Sequence, residues 1–120
     1  MPRVPAKTPK SASSAVRGSR SGRPIMALLD LLGRRWSLRV LWELRDGRRT
    51  FRSLQEACDN VSPAVLSGRL KELREACLVD ATGGEGYGLS DLGHELLERF
   101  APMVGWAERW AKVSARRKPA

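Results

Sequence analysis

Groups that bind metals or carry out catalysis are scarce in this chain. Its 120 residues include one histidine and two cysteines. A zinc centre wants about four such ligands at characteristic spacing, so no metal and no cofactor is expected. Cys58 and Cys77 each lie near the end of an apolar run. A small buried hydrophobe is the expected role, with redox sensing the alternative. Unpaired cysteines of this kind suit a reducing cytoplasm. No glycine-rich phosphate loop follows a strand, and no nucleophile–base set is recognisable, so an enzyme is not expected. His94 stands beside Glu95 and reads as a solvated surface residue. No apolar run approaches the roughly 18 residues that span a bilayer, and no apolar leader opens the chain.

Acid is missing from both ends. Residues 1–24 carry six basic residues (Arg3, Lys7, Lys10, Arg17, Arg20, Arg23) and no acid. Residues 112–120 carry Lys112, Arg116, Arg117 and Lys118, again without acid. Between them lie 12 basic and 13 acidic residues, so the net charge of +9 belongs to the ends. Basic arms around a near-neutral body suit a polyanionic partner, with a solubilising tail as the plainer alternative.

Composition divides the chain in three. Residues 1–23 are rich in Pro, Ser, Gly and Arg and should form a disordered basic arm. One domain should fill residues 24–113, and a short basic tail should occupy 114–120. Inside the domain, Ile25 to Leu32 suggest a first helix ended by Gly33. Residues 36–46 suggest a second, with Trp36, Val40, Leu41 and Leu44 inward. RRT at 48–50 suits a short strand. Thr50 can cap a third helix over 51–58, whose Phe51, Leu54 and Cys58 share a face. Asp59 to Val61 form a tight break. Ser62 then caps a fourth helix, with Pro63 at its first position, running to about Ala76. Leu78–Thr82 and Tyr87–Leu89 read as strands around a glycine-rich tip that includes Gly83 and Gly84. Ser90 and Asp91 start a last helix running to about Val113, kinked or split at Pro102.

The fourth helix is the most informative stretch. Leu66, Leu70 and Leu73 line one side at i, i+4, i+7 spacing. Ala64, Ser67, Gly68 and Lys71 fall on or near the other. A solvated face would usually carry longer polar residues, and a helical glycine costs about 1 kcal/mol relative to alanine. Small residues instead let the helix approach another surface closely, and the major groove of DNA is one such surface. Two helices joined by a tight turn and followed by a hairpin form a winged helix-turn-helix. Ser62 and Ser67 can meet phosphates or base edges, Ala64 a thymine methyl, and Lys71 a guanine or phosphate. Arg69 has two readings, a phosphate contact or an internal ion pair. Arg52, near the start of the third helix, is the best candidate for a phosphate clamp. Arg48 and Arg49 either join it or solvate a turn.

The last helix offers a different surface. Met103, Trp106, Trp110 and Val113 share a face. Two tryptophans there either cover the domain's own core or form a dimer interface with Ile25, Leu28 and Leu29 of the first helix. A two-fold dimer would present paired recognition helices to half-sites about one DNA turn apart.

Four strings in order, LLDLLGRRWSLRVLWEL (28–44), RTFRSLQEA (49–57), VSPAVLSGRLKEL (61–73) and YGLSDLGHEL (87–96), resemble the HxlR-type regulators, a bacterial group related to the MarR type. The resemblance covers roughly residues 25–111. It implies a homodimer on palindromic promoter DNA, often a repressor, sometimes responsive to small molecules or oxidants. It assigns the recognition helix to Ser62–Lys71, including Pro63, and the dimer contact to the terminal helices. Three departures stand out. Arg23 and Pro24 replace the cysteine usual before the first helix. The wing tip GGEG has no base and contains Glu85, which leaves backbone contacts to the N-terminal arm. Cys77 replaces the glycine usual after the recognition helix.

The sequence therefore reads as a mainly α winged helix-turn-helix with a small β-hairpin. The expected function is a cytoplasmic, dimeric, sequence-specific binder of double-stranded DNA, with an unidentified small-molecule effector as an open partner and no membrane contact. A non-specific architectural DNA-binding protein and a protein-interaction module that has lost DNA binding are the alternatives.

Overall fold

The computed structural model describes residues 22–82, 84 and 86–117. Helix α1 covers Pro24–Leu32 and buries Ala27 and Leu32. Pro24 fits at its start because that amide has no partner within a helix. Gly33 closes it, donating to the Leu29 carbonyl at 2.8 Å. Helix α2, Ser37–Glu43, begins from an unusual residue. Trp36 sits in the left-handed region, at φ 79°. A bulky residue there stores on the order of 1–3 kcal/mol of strain, which the surroundings must offset. Arg35 and Arg39 lie 5.6 and 6.0 Å from the Trp36 ring centre.

Helix α2 ends at Glu43, before the expected residue 46. The Leu44 and Arg45 amides turn back to the Leu41 and Trp42 carbonyls, three residues behind, so the last turn tightens. Helix α3, Phe51–Ala57, is capped by Thr50, whose hydroxyl accepts from the Ser53 amide at 3.0 Å. Asp59 and Asn60 follow with φ of 58° and 57°, the left-handed pair that reverses the chain. Ser62 caps helix α4, Pro63–Glu75, accepting from the Val65 amide.

The end of α4 follows the pattern of a glycine-terminated helix without the glycine. Cys77 has φ 66°, its amide reaches the Arg74 carbonyl, and the Leu78 amide reaches the Leu73 carbonyl. These two bonds close a Schellman motif, whose left-handed position usually belongs to glycine.

Strands β1, Val79–Asp80, and β2, Gly88–Leu89, pair antiparallel, with Val79 opposite Leu89 and Asp80 opposite Gly88. Both are shorter than the sequence pattern predicts. The expected strand at 48–50 reduces to one bridge, Arg49 with Tyr87. Helix α5, Asp91–Phe100, starts at Ser90, whose hydroxyl accepts from the Gly93 amide and donates to the Cys77 carbonyl at 2.7 Å. A Cβ at Gly93 would collide with the Leu78 carbonyl, so glycine lets α5 lie against the residue that leads into β1. Helix α6 covers Pro102–Arg116. Pro102 splits the expected last helix in two, and α6 extends three residues past Val113.

One core joins these elements. Val40, Leu41, Leu44, Leu54, Cys58, Leu66 and Leu73 are almost wholly excluded from solvent. Burying each such leucine contributes on the order of 2 kcal/mol, and the core holds α4 through its leucine side. Burial pushes the Cys58 thiol up, away from the thiolate. Cys58 thus takes the small-hydrophobe role, while Cys77 is exposed. Among the described residues, no helix is long and apolar enough to cross a membrane.

Candidate nucleic-acid interface

Helix α4 has two unlike sides. Leu66, Leu70 and Leu73 are buried. Ser62, Pro63, Ala64, Ser67 and Lys71 are exposed, and Gly68 is half-buried. A methyl group added at Gly68 would meet nothing within 4 Å. Among the described residues, no contact therefore requires glycine there. The outer face is open along its length, as close approach by an external surface demands.

Beside it runs an open trough of about 550 Å³, lined by Lys71, Arg74 and Glu75 of α4 and by Val79–Thr82. The trough separates α4 from the wing. Gly84 is exposed. Gly83 lies outside the described residues, as do Glu85 and residues 1–21 of the basic arm.

The arginines divide between the outside and the interior. Arg52 is exposed at the start of α3, with only a loose 3.7 Å pairing to Glu56. Arg69 takes its internal reading. It pairs with Glu72, which also lies 3.5 Å from Arg34. The helix places Arg69 at the edge of the leucine stripe, where its short path to Glu72 removes it from the outer face. Arg48 and Arg49 are also engaged inside the protein. Arg48 Nη1 lies 2.8 Å from Asp80 Oδ1, and Nη2 donates to the Gly86 carbonyl. Arg48, beside it, holds the Asp80 carboxyl below its ordinary range. Arg49 Nε donates to the Glu43 carbonyl, and Nη1 to the Ser53 hydroxyl.

Apart from the Arg69 pair, sequence reasoning missed this internal network. Its one readable signal was the i, i+4 spacing of Arg39 and Glu43, which places opposite charges on one helix face. Arg39 Nε donates to Glu43 Oε2 at 2.8 Å and Nη2 to the Ala57 carbonyl at 2.7 Å. The Glu43 bond raises the Arg39 pKa.

The expected dimer residues are largely uncovered. Ile25 and Leu29 are each 53% exposed, and Met103, Trp106, Trp110 and Val113 lie between 46% and 57%. Trp106 and Trp110 stack on each other at 6.2 Å. Helix α6 buries no residue at all, so its tryptophans do not cover the core. Leu28 differs. It is half-buried and packs against the core, because the first helix turns that side inward.

Comparisons with known proteins agree with this arrangement. The model of the HxlR-like helix-turn-helix family matches residues 31–115. The HTH-type transcriptional regulator YvaP of Bacillus subtilis is 32% identical over 92 residues, covering 72% of this chain and 85% of YvaP. The regulator YodB of the same organism is 30% identical over 88 residues, covering 68% of this chain and 79% of YodB. The crystal structure of quinone-bound YodB superposes with a TM-score of 0.65 at 30% identity, covering 71% of this chain and 94% of that one. A MarR-family regulator structure from Enterococcus faecalis gives a TM-score of 0.66 at 28% identity, covering 77% and 89%. Capped helices, a left-handed turn, an open-faced fourth helix and a two-stranded wing thus belong together, and the chain is a member of the HxlR-like helix-turn-helix family of DNA-binding transcription regulators, not an enzyme.

Proposed function

We propose that this chain is a cytoplasmic homodimeric repressor that places α4 in the major groove of a palindromic operator. The observation that carries the reading is the contrast across α4. Its leucines are buried, while Ala64, Ser67, Gly68 and Lys71 face open space. Short side chains let the helix axis approach base edges. Lys71 supplies charge toward a phosphate or guanine, and Ser62 and Ser67 supply hydrogen bonds. Pro63 and Ala64 contribute apolar contact at the helix start. Arg52 is free to meet the phosphate backbone, and Gly84 borders it from the wing. The exposed apolar strip of α6, with Ile25 and Leu29, supports dimerisation through the terminal helices, since aromatic and Met residues concentrate in such interfaces. A dimer of this kind would read half-sites roughly 34–36 Å apart.

The basic arm supplies the phosphate contacts that the wing's acidic tip cannot. Deleting residues 1–23 should then flatten the dependence of log affinity on log salt, by about 0.9 for each phosphate the arm neutralises. YodB has been solved with quinone bound. A small-molecule effector is part of the reading here too, tested by whether quinone weakens operator binding.

The main test is selection of bound fragments from genomic DNA, followed by competition with random-sequence DNA. A repressor should keep a preferred inverted repeat. Replacing Ser67 and Lys71 with Glu should weaken binding to it by more than about a hundredfold, ~2.8 kcal/mol, with the fold retained. Equal binding to all sequences, or indifference to both substitutions, would refute the reading.

A further inference from the structure

Both ends of α3 are tied to one residue outside it. Glu43, the last residue of α2, has a side chain that is only 17% exposed. Its Oε2 accepts from Arg39, which carries a second bond to the Ala57 carbonyl at the end of α3 and lies 3.5 Å from Asp59 in the turn. Its Oε1 lies 3.8 Å from Arg49, whose other nitrogens reach the Glu43 carbonyl and the Ser53 hydroxyl in the first turn of α3. Arg49 also carries the backbone bridge to Tyr87 of the wing, at 2.9 and 2.7 Å. One carboxylate therefore holds two guanidinium groups. The Arg39 guanidinium grips the end of α3 and the turn before α4, while the Arg49 guanidinium grips the first turn of α3 and belongs to the residue whose backbone bridges to the root of the wing.

We infer that Glu43 is a positioning residue that sets the angle between the recognition helix and the wing, and so determines operator discrimination without touching DNA. The inference rests on the reading of α4 as the groove-entering helix. The physical argument concerns the shortness of α3. Seven residues make just under two turns, and a helix that short has little stability of its own. Its direction is fixed by what holds its ends. Guanidinium forks fix direction well, because their planar donors admit one geometry for each acceptor. Residue 43 serves both, bonding Arg39 through Oε2 and Arg49 through its carbonyl, with Oε1 at a looser 3.8 Å from Arg49, so the two attachments depend on each other. A glutamine at 43 keeps the size but offers one oxygen, so it can serve one arginine and presents its amide hydrogens to the other.

The test has two readouts on the full chain. Native-state hydrogen exchange is measured on wild type, Glu43→Gln and Arg39→Lys in the absence of DNA. Glu43→Gln should speed exchange at the Asn60 and Val61 amides of the turn and at the Arg49 and Tyr87 amides of the bridge, by about tenfold or more, leaving His94 in α5 unchanged. Arg39→Lys should speed only the turn set. Unchanged exchange at both sets, or equal acceleration at His94, overturns the inference. The second readout is the ratio of affinities for a selected operator and random DNA. Glu43→Gln should lower it about tenfold, mostly through the operator. A preserved ratio beside altered exchange overturns the positioning role. If the wild type itself prefers no sequence, the repressor reading fails, and the exchange result alone judges whether Glu43 ties the two elements together.

Discussion

Helices α4 and α6 both carry large apolar residues and use them in opposite ways. Helix α4 turns three leucines into the core and shows solvent a face of Ala, Ser, Gly and Lys. Helix α6 buries nothing and shows solvent Met103, Trp106, Trp110 and Val113. The first pattern anchors a helix while keeping its outside slender. The second leaves an apolar strip that a lone domain does not use. A polar, small-residue face suits a hydrated, charged partner, and an aromatic strip suits another apolar strip. The two surfaces therefore suit different partners.

Truncation should break the symmetry most strongly. Leu66→Ala should cost about 2–5 kcal/mol in denaturant unfolding, through reduced burial and a cavity. Trp110→Ala removes a larger side chain, yet it should change the unfolding of the domain itself by less than about 1 kcal/mol. Its effect should appear instead as a shift toward monomer in sedimentation. Equal destabilisation by both would erase the contrast.

Substitutions at the end and middle of α4 sharpen it. Cys77→Gly relieves a left-handed side chain and should stabilise the fold by about 1 kcal/mol, read from chemical denaturation. Gly68→Ala should stabilise α4 by roughly 0.5–1 kcal/mol, because the methyl meets open space and favours the helix. The same methyl should weaken DNA binding. Opposite signs for stability and affinity would show that Gly68 serves a partner outside the chain. A smaller effect involves the wing. Asp80 has a pKa lowered by Arg48, so its contribution is present above the ordinary carboxylate value and fades as pH falls through the lowered one. Below about pH 4 the wing amides should exchange faster than those of α4. Asp80→Asn should remove that pH dependence, with wing exchange already faster at neutral pH.

Much of this organisation was legible in the residues. Caps carried the helix starts: Thr50, Ser62 and Ser90 each accept the amide three residues on. Leucine spacing gave the buried side of α4, and Pro102 gave the break between α5 and α6. What escaped depends on distant partners or on backbone energy. Arg48 and Arg49 look like free cations in one dimension, because only the fold brings Asp80 and Glu43 within reach, whereas the pairing of Arg69 with Glu72 three residues on was one of its two readings. Trp36 gave no sign of its left-handed backbone, since nothing local favours that conformation for tryptophan. Strand lengths were overestimated because alternation persists where pairing has already ended. The open outer face was foreseen from residue size alone, whereas the trough beside it needed the wing in place.

The central claim is that the small-residue side of α4 enters duplex DNA. The most direct measurement is an NMR titration of the full chain with its selected operator, following backbone amides. The Ala64, Ser67, Gly68 and Lys71 signals should shift first and most, with α6 signals nearly still. Shifts confined to α6 or the chain ends, with those four amides unmoved, would contradict it.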